Sequence, residues 1–227
     1  MEKTAGACEQ RVFEGSTFTA CRYESASDRI ELIVGGTGAP LRSLPALERH
    51  LGARAAALRF AMNAGMYDEE GRPIGLYVEK GEQRRALNLR DGPGNFHLKP
   101  NGVFWVDRKG RVAVTASDRY KPGKAQWATQ SGPMLVIDGK PHPEFTANGE
   151  SRLIRNGVGV SGPDTAWFAI SEEGVSFGRF ARFFRDALGC RDALFLDGTV
   201  SSLWDPVAGR QDGYPSLGPI VAVFREP

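Results

Sequence analysis

The sequence of 227 residues is poor in the residues that bind metals or form cross-links, with three histidines and three cysteines. No C-x-x-C or H-x-x-x-H spacing occurs among them, so the common zinc and thioredoxin-type motifs are excluded. GxGxxG and Walker loops, which mark nucleotide enzymes, are also missing. No apolar run approaches the roughly 20 residues of a membrane helix. The net charge of +2, with no cluster of Lys and Arg, argues against a nucleic-acid partner.

Two of the cysteines leave the cellular compartment open. Cys8 and Cys21 are thirteen positions apart and flank a strand-like stretch. They would form a disulfide in an exported protein, whereas a cytosolic protein would keep three free thiols. Residues 1–4 contain no apolar signal region, so either the protein is cytoplasmic or a leader has been removed.

The remaining composition is that of an ordinary globular protein, with 41% hydrophobic and 25% charged residues. Short turns separate many strand-like segments, which favours an antiparallel or mixed sheet. The predicted strands cover residues 18–23, 30–34, 57–62, 74–79, 102–107, 111–115, 134–137, 157–160, 165–170, 193–196 and 220–224. We therefore predict a single α+β domain over residues 1–227, with a mixed or antiparallel β-sheet core and a few packed helices.

Two segments have the apolar spacing of helices. In the first, Ser43 caps a stripe of leucines that ends before Gly52. In the second, Ser176 caps an apolar stripe that ends at Leu188, ahead of Gly189. We assign the phenylalanines of the second stripe to the core.

Four glycine-containing loops follow strand-like segments, at residues 63–68, 129–133, 152–157 and 197–202. Glycine allows a backbone to approach a ligand closely, although any strand-rich fold also needs such turns. Asp197 directly follows a buried-looking strand, so its carboxylate is expected at the mouth of the core. A carboxylate there can serve as an acid, a base, a nucleophile or a metal ligand.

Other polar residues of these loops suit an anionic, polyhydroxylated substrate. Arg155 offers a planar fork for phosphate or carboxylate, and Arg152 is a second candidate. Asn63 and Gln130 can bond to sugar hydroxyls or phosphate oxygens. Ser131 lacks the G-x-S-x-G elbow of a serine hydrolase.

The histidines give weaker signals. His97 lies in a loop that could line a cleft. His50, near the end of the first helix, and His142, between two prolines, are expected at the surface.

An ordered series of motifs indicates a family. The motifs are Asn63-Ala64-Gly65-Met66, Pro73-Ile74-Gly75-Leu76, Ser131-Gly132-Pro133-Met134-Leu135, Arg155-Asn156-Gly157-Val158-Gly159 and Leu196-Asp197-Gly198 with Ser201-Ser202 behind it. In this order and spacing the chain resembles the phosphodiester glycosidase family over about residues 60–224, with strands within 10–35 completing the sheet. One departure is that residues 196–202 contain Thr199 and Val200, where the family tends to have two glycines.

The resemblance implies a hydrolase of sugar phosphodiester or related glycosidic linkages. Asp197, Asn63 and Arg155 would be its catalytic residues, with Asp197 as the central carboxylate and Arg155 holding the phosphate. The predicted substrate-binding residues are Gly65, Gln130, Ser131, Gly132, Arg152, Gly198, Ser201 and His97. A two-carboxylate mechanism needs a partner acid, for which Asp68, Glu69 and Glu70 are the nearest candidates.

Two alternatives remain from the sequence. One is a non-catalytic glycan- or phosphate-binding protein of the cell envelope. The other is metal-dependent hydrolysis, in which Asp197 and Asp68 would hold a divalent cation. Exported relatives suggest a periplasmic or extracellular location.

Overall fold

The computed structural model describes residues 6–35, 39–214 and 216–226. Residues 1–4, whose sequence bears on a leader, lie outside these ranges. The strands are β1 (Cys8–Phe13), β2 (Ser16–Glu24), β3 (Asp28–Ile33), β4 (Leu58–Asn63), β5 (Tyr77–Glu79), β6 (Glu82–Arg85), β7 (Gly102–Asp107), β8 (Val112–Ala116), β9 (Ala125–Ser131), β10 (Met134–Ile137), β11 (Lys140–Pro141), β12 (Asn156–Gly162), β13 (Thr165–Ser171), β14 (Asp192–Asp197), β15 (Leu203–Asp205), β16 (Arg210–Gln211) and β17 (Ile220–Arg225). The helices are α1 (Leu44–Leu51) and α2 (Phe177–Arg182), with short 3-10 helices at Gly52–Ala57 and Asn95–His97.

Within the described residues the strands form three sheets. The first has the order β1-β2-β13-β12-β14-β10-β11, the second β16-β15-β4-β17-β3 and the third β6-β5-β9-β7-β8. Neighbouring strands are antiparallel in each sheet. The predicted α+β class is therefore confirmed, and of the mixed or antiparallel core that the sequence allowed, the structure has the antiparallel one.

One hydrophobic core lies between the three sheets. Phe168 of the first sheet has its ring centroid 5.6 Å from that of Phe60 in the second and 5.5 Å from that of Phe104 in the third. All three rings are buried. Because each sheet contributes apolar side chains to the same cluster, none of them buries its inner face alone.

The two helices cover outer faces of the sheets. Ser43 accepts a hydrogen bond from the Ala46 amide at 3.2 Å, so the predicted cap of α1 is confirmed. Ser176 caps α2 in the same way, through the Arg179 amide. The predicted second helix, however, changes to a π turn over Phe183–Ala187 before it ends. This extra residue in the turn keeps the neighbouring Phe183 and Phe184 both buried.

Most predicted strands are present, and the missed ones are short or polar. Residues 129–131, which were predicted as loop, are the end of β9, a strand between β5 and β7. Because their side chains are polar, the sequence does not indicate a buried strand here, although these hydroxyls and the amide are buried. His142, predicted at the surface, is also buried and stacks on Phe145, with ring centroids 4.8 Å apart.

Cys8 and Cys21 form a disulfide that connects the paired strands β1 and β2. Cys190 is a buried free thiol. In the described ranges, no helix has the length and apolar character that crossing a bilayer requires.

Candidate functional site

The ends of strands from different sheets meet at one point. Asn63 ends β4, and Asn156 begins β12. The Asn156 Nδ2 atom donates to the Asn63 backbone oxygen at 2.7 Å and to Asn63 Oδ1 at 3.1 Å. The Ser202 amide also donates to Asn63 Oδ1, at 2.8 Å. Asn63 therefore joins the first and second sheets and fixes the loop that follows Asp197.

The two predicted substrate-binding serines connect these loops. Ser131 Oγ donates to the Leu196 backbone oxygen at 3.2 Å. Ser201 Oγ lies within 3.3 Å of three acceptors, which are Asp197 O, Ile154 O and Asn156 Oδ1. The hydroxyl hydrogen of each serine therefore has an acceptor inside the protein. Contact between either serine and a substrate stays a prediction.

The carboxylate of Asp197 is oriented through one of its oxygens. Oδ1 accepts hydrogen bonds from the amides of Thr199, at 2.6 Å, and Val200, at 3.2 Å. Oδ2 accepts none from the described residues. With only 7% of Asp197 exposed, the carboxylate is held rigidly at the end of β14 with one oxygen left for a ligand.

Asp197 lines a cleft of about 310 Å³. The residues around it are Met66, Tyr67, Ile74, Asn95, Leu153, Phe195, Asp197, Gly198 and Thr199. Asp197 is the one carboxylate among them. Burial and the nearby Asp197 charge raise the pKa of Tyr67 to about 12, so its phenol stays protonated at neutral pH and can donate a hydrogen bond.

Arg155 is fully buried and has no ion-pair partner among the described residues. Its Nε atom donates to the Val175 backbone oxygen at 2.9 Å, and Nη2 donates to Ser151. Nη1 is buried without a hydrogen-bond partner. Burial lowers the pKa of Arg155 to about 10, at which the guanidinium is still charged near neutral pH. A buried cation with a free donor is a favourable setting for an anion.

Aromatic rings and a glycine surround this guanidinium. Its central carbon lies 3.7 Å from the ring centroid of Phe177 and 5.5 Å from that of Phe195. A Cβ atom on Gly198 would lie 3.4 Å from Nη1 and 3.0 Å from the Phe195 ring. Since Gly198 lines the cleft, the positive charge lies directly behind the cleft wall.

Three predicted substrate-binding side chains are not among the residues that line this cleft, so the geometry gives their assignment no support. The Gln130 amide is buried and makes four hydrogen bonds, to Leu76, Ser117 and Asn88, so it has no donor or acceptor left. His97 Nδ1 is 2.9 Å from the Arg90 backbone oxygen. Arg152 is exposed. The motifs suggest these residues, but the side chains of Gln130 and His97 bond to other neighbours.

Close packing explains why positions 65 and 132 are occupied by glycine, as Gly65 and Gly132. A Cβ atom on Gly65 would lie 2.3 Å from Thr129 Oγ1, and one on Gly132 would lie 2.7 Å from Asn101 Cβ. Only glycine fits at either position, so both hold the loops close to neighbouring strands.

The predicted partner acids do not line the cleft. Asp68 accepts hydrogen bonds from Arg72, which lowers its pKa despite some desolvation. Glu69 and Glu70 are exposed. Among the residues that the structure describes, no group of three or more His, Cys, Asp or Glu side chains could hold a metal ion. The geometry therefore gives no support to the Asp197 and Asp68 cation site.

Sequence reasoning missed several residues of this region. Asn156 lies within a quoted motif and Tyr67 within the loop of residues 63–68, and their polar groups were the available signal. Phe177 was assigned wholly to the core, whereas its ring also stacks on Arg155. No sequence signal distinguishes it from the other phenylalanines of the stripe.

Comparisons with known proteins identify relatives of this chain. Residues 56–207 match the family described as phosphodiester glycosidase. The uncharacterised protein YigE of Escherichia coli K12 is 42% identical over 148 residues, which are 65% of this chain and 58% of YigE. The match thus spans less than two thirds of that relative.

Two solved structures share the fold. The zebrafish N-acetylglucosamine-1-phosphodiester alpha-N-acetylglucosaminidase catalytic domain is similar with a TM-score of 0.66 and 14% identity, over 99% of this chain and 85% of that one. A Burkholderia pseudomallei protein whose name describes it as exported has a TM-score of 0.62 and 12% identity, over 93% of this chain and 74% of that one. Because the family match covers more than half of the sequence and includes Asn63, Arg155 and Asp197, the chain belongs to the phosphodiester glycosidase family.

Proposed function

We propose that the chain is a hydrolase that cleaves sugar phosphodiesters or related glycosidic linkages outside the cytoplasm. The observation that carries the proposal is the pairing of two features at one cleft. Asp197 presents one free carboxylate oxygen, and behind Gly198 lies the buried Arg155 guanidinium with no counter-ion among the described residues. A carboxylate can attack or activate water, while the guanidinium attracts a phosphate.

In the reaction we propose, the bond between the anomeric carbon and the phosphate oxygen breaks. The leaving phosphate monoester keeps the bonding electron pair and stays near the positive charge of Arg155. Asp197 either attacks the anomeric carbon or removes a proton from the attacking water. Water finally supplies the hydroxyl on the sugar and a proton to the medium, so that atoms and charge balance.

The shortage of carboxylates in the cleft favours a phosphate leaving group. A glycosidase that expels an alcohol needs a second carboxylic acid to protonate it. A phosphate monoester is a weak base and can leave as an anion. Tyr67, whose phenol remains protonated, can donate a hydrogen bond to substrate beside Asp197.

The same shortage supports a second candidate, a glycan- or phosphate-binding protein without turnover. Thr199 and Val200 add side chains beside Asp197, and Asp197 Oδ1 is already occupied by their amides. Binding of sugar phosphodiesters with no product after prolonged incubation would favour this candidate.

The Cys8–Cys21 disulfide and the name of the Burkholderia pseudomallei neighbour support a location in the periplasm or outside the cell. Disulfides of this kind persist in oxidising compartments. The substrate would then be a glycan of the cell envelope or its surroundings.

The test is sugar and phosphate release from a panel of synthetic sugar phosphodiesters. Arg155→Lys keeps the charge but loses the planar fork and its stacking on Phe177, so we expect KM to rise by about tenfold or more. Arg152→Lys, at an exposed position three residues away, is the matched control and should behave as the native chain. Turnover that is equal in both variants would contradict the role of Arg155, and absence of turnover by the native chain would contradict the hydrolase.

A further inference from the structure

A second pocket shares the loop of residues 66–74 with the cleft. It has a volume of about 590 Å³ and includes Arg72 and Pro73, while Tyr67 and Ile74 of the same loop face the cleft. This size is within the range of ligand sites. A chain-like ligand that passes over this loop could occupy both the cleft and this second space.

Cationic side chains dominate the lining of this basic pocket. They are Arg72, Lys80, Arg84 and Arg85; His50 also lines the pocket, and Glu79 is the one acid of the lining. Arg72 pairs with Asp68 and Glu70, and Arg84 pairs with Glu82. Lys80 and Arg85 form no ion pair within the described residues. These two side chains are therefore the cations available to an incoming anion.

A buried phenol adds a polar group to the basic pocket. Tyr77 is 2% exposed, and its hydroxyl is buried without a hydrogen-bond partner. Tyr77 and Arg85 are partners in the register of β5 and β6, so their side chains lie on the same face of the third sheet. Burial raises the pKa of Tyr77 well above its usual value, and the charges that act on the phenol are those of Glu79 and Arg84. Independently of these charges, Tyr77 is one of the residues that line the basic pocket.

We propose that the basic pocket is a second binding site, for an acidic oligosaccharide that extends from the cleft. Lys80 and Arg85 contact its phosphate or carboxylate groups, and the Tyr77 hydroxyl bonds to a sugar hydroxyl or to the anion. An anion supplies the missing partner of the phenol and of both cations. The extension from the cleft rests on the proposed function, whereas the recognition of an acidic sugar does not.

Binding of three probes by isothermal titration calorimetry tests this site. The probes are tetragalacturonate, maltotetraose and a phosphorylated maltotetraose. We expect the acidic probes to bind about tenfold or more tightly than neutral maltotetraose. The carboxylate and phosphate arms show which anion is preferred, and preference for either one supports the site. Equal binding of all three probes, or binding of none, would overturn it.

Variants then locate the binding. Lys80→Gln combined with Arg85→Gln should weaken binding of the preferred acidic probe by about tenfold or more. Tyr77→Phe, which keeps the buried ring, should weaken it by a smaller factor. The control pair, Lys121→Gln with Lys124→Gln, removes the same charge from an exposed segment and should leave the affinity within about twofold of native. Equal losses in the two pairs would indicate general surface charge and overturn the proposal.

Release from a small sugar phosphodiester separates this inference from the proposed function. Such a substrate is too short to reach the basic pocket, so the Lys80 and Arg85 variants should cleave it as the native chain does. If the small diester is cleaved but no acidic probe binds, the second site is wrong and the hydrolase stands. If acidic probes bind through Lys80 and Arg85 but no diester is cleaved, the site stands and the hydrolase is wrong.

Discussion

Asp197 and Asp205 hold their carboxylates in the same way, although only Asp197 lines the cleft. Oδ1 of Asp205 accepts hydrogen bonds from the Val207 amide at 3.0 Å and the Ala208 amide at 3.3 Å. Oδ1 of Asp197 accepts the equivalent bonds at 2.6 and 3.2 Å. Both residues are buried. Substitution of Asp205 therefore serves as a control that shows how the loss of such a carboxylate affects folding.

Because the two turns are alike, equivalent substitutions at Asp197 and Asp205 distinguish an effect on catalysis from an effect on the turn. Asp197→Asn retains an oxygen that can accept both turn amides, but it removes the charge needed to attack or to accept a proton. We expect sugar phosphodiester cleavage to fall by a factor of about 100 or more, with little change in Tm. Asp205→Asn should leave cleavage unchanged. Full activity of a folded Asp197→Asn variant would exclude this carboxylate from the reaction.

Gly198 leaves room between the cleft and Arg155. Gly198→Ala places a methyl group 3.0 Å from the Phe195 ring and 3.4 Å from Arg155 Nη1, so KM for a sugar phosphodiester should rise. Gly162→Ala is the control, since no heavy atom lies within 4 Å of its added methyl group. Steady-state kinetics on both variants make the comparison. An unchanged KM in Gly198→Ala would show that substrate does not approach this wall.

His142 makes stability depend on pH. Burial lowers the pKa of His142 below its usual value of 6.5, although the backbone of Lys99 and the negative charge of Glu144 oppose this. The folded state therefore favours the neutral imidazole of His142. The contribution of neutral His142 to the free energy of unfolding is fully present above about pH 6.5. It is lost as the pH falls through the lower pKa of this histidine in the folded state.

The His142→Gln variant removes this titration. Its Tm should decrease less than that of the native chain between about pH 7 and pH 5, as measured by thermal unfolding in buffers of equal ionic strength. His50→Gln, at an exposed helix end, is the control and should follow the native curve. Parallel curves for His142→Gln and the native chain would contradict the assignment.

The Cys8–Cys21 disulfide should be visible in thiol counts. Under denaturing conditions we expect one reactive thiol, from Cys190, and three after reduction. Replacing Cys8 and Cys21 by serine should lower the free energy of unfolding by about 2–4 kcal/mol, because the unfolded chain regains freedom. Three reactive thiols without reductant would refute the pairing.

Local patterns predicted the helix starts and most strands correctly. Ser43 and Ser176 are both caps, because a hydroxyl ahead of an apolar stripe satisfies amides that the first turn leaves free. The whole of β9 was missed, since its end is polar and the burial of Gln130 there depends on partners up to 54 residues away. The π turn at Phe183 was missed for the same reason, because packing against the first sheet decides it.

The sequence by itself determined the family, the α+β class and the selection of Asn63, Arg155 and Asp197. Motif order and hydrophobic alternation are local properties and can be read directly. Only the tertiary structure decided that Arg155 has no counter-ion in the described chain, that Phe177 stacks on it, and that Gln130, His97 and Arg152 are not in the lining of the cleft. These facts depend on which side chains the three sheets bring together, and contacts between distant segments leave no mark on a single sequence.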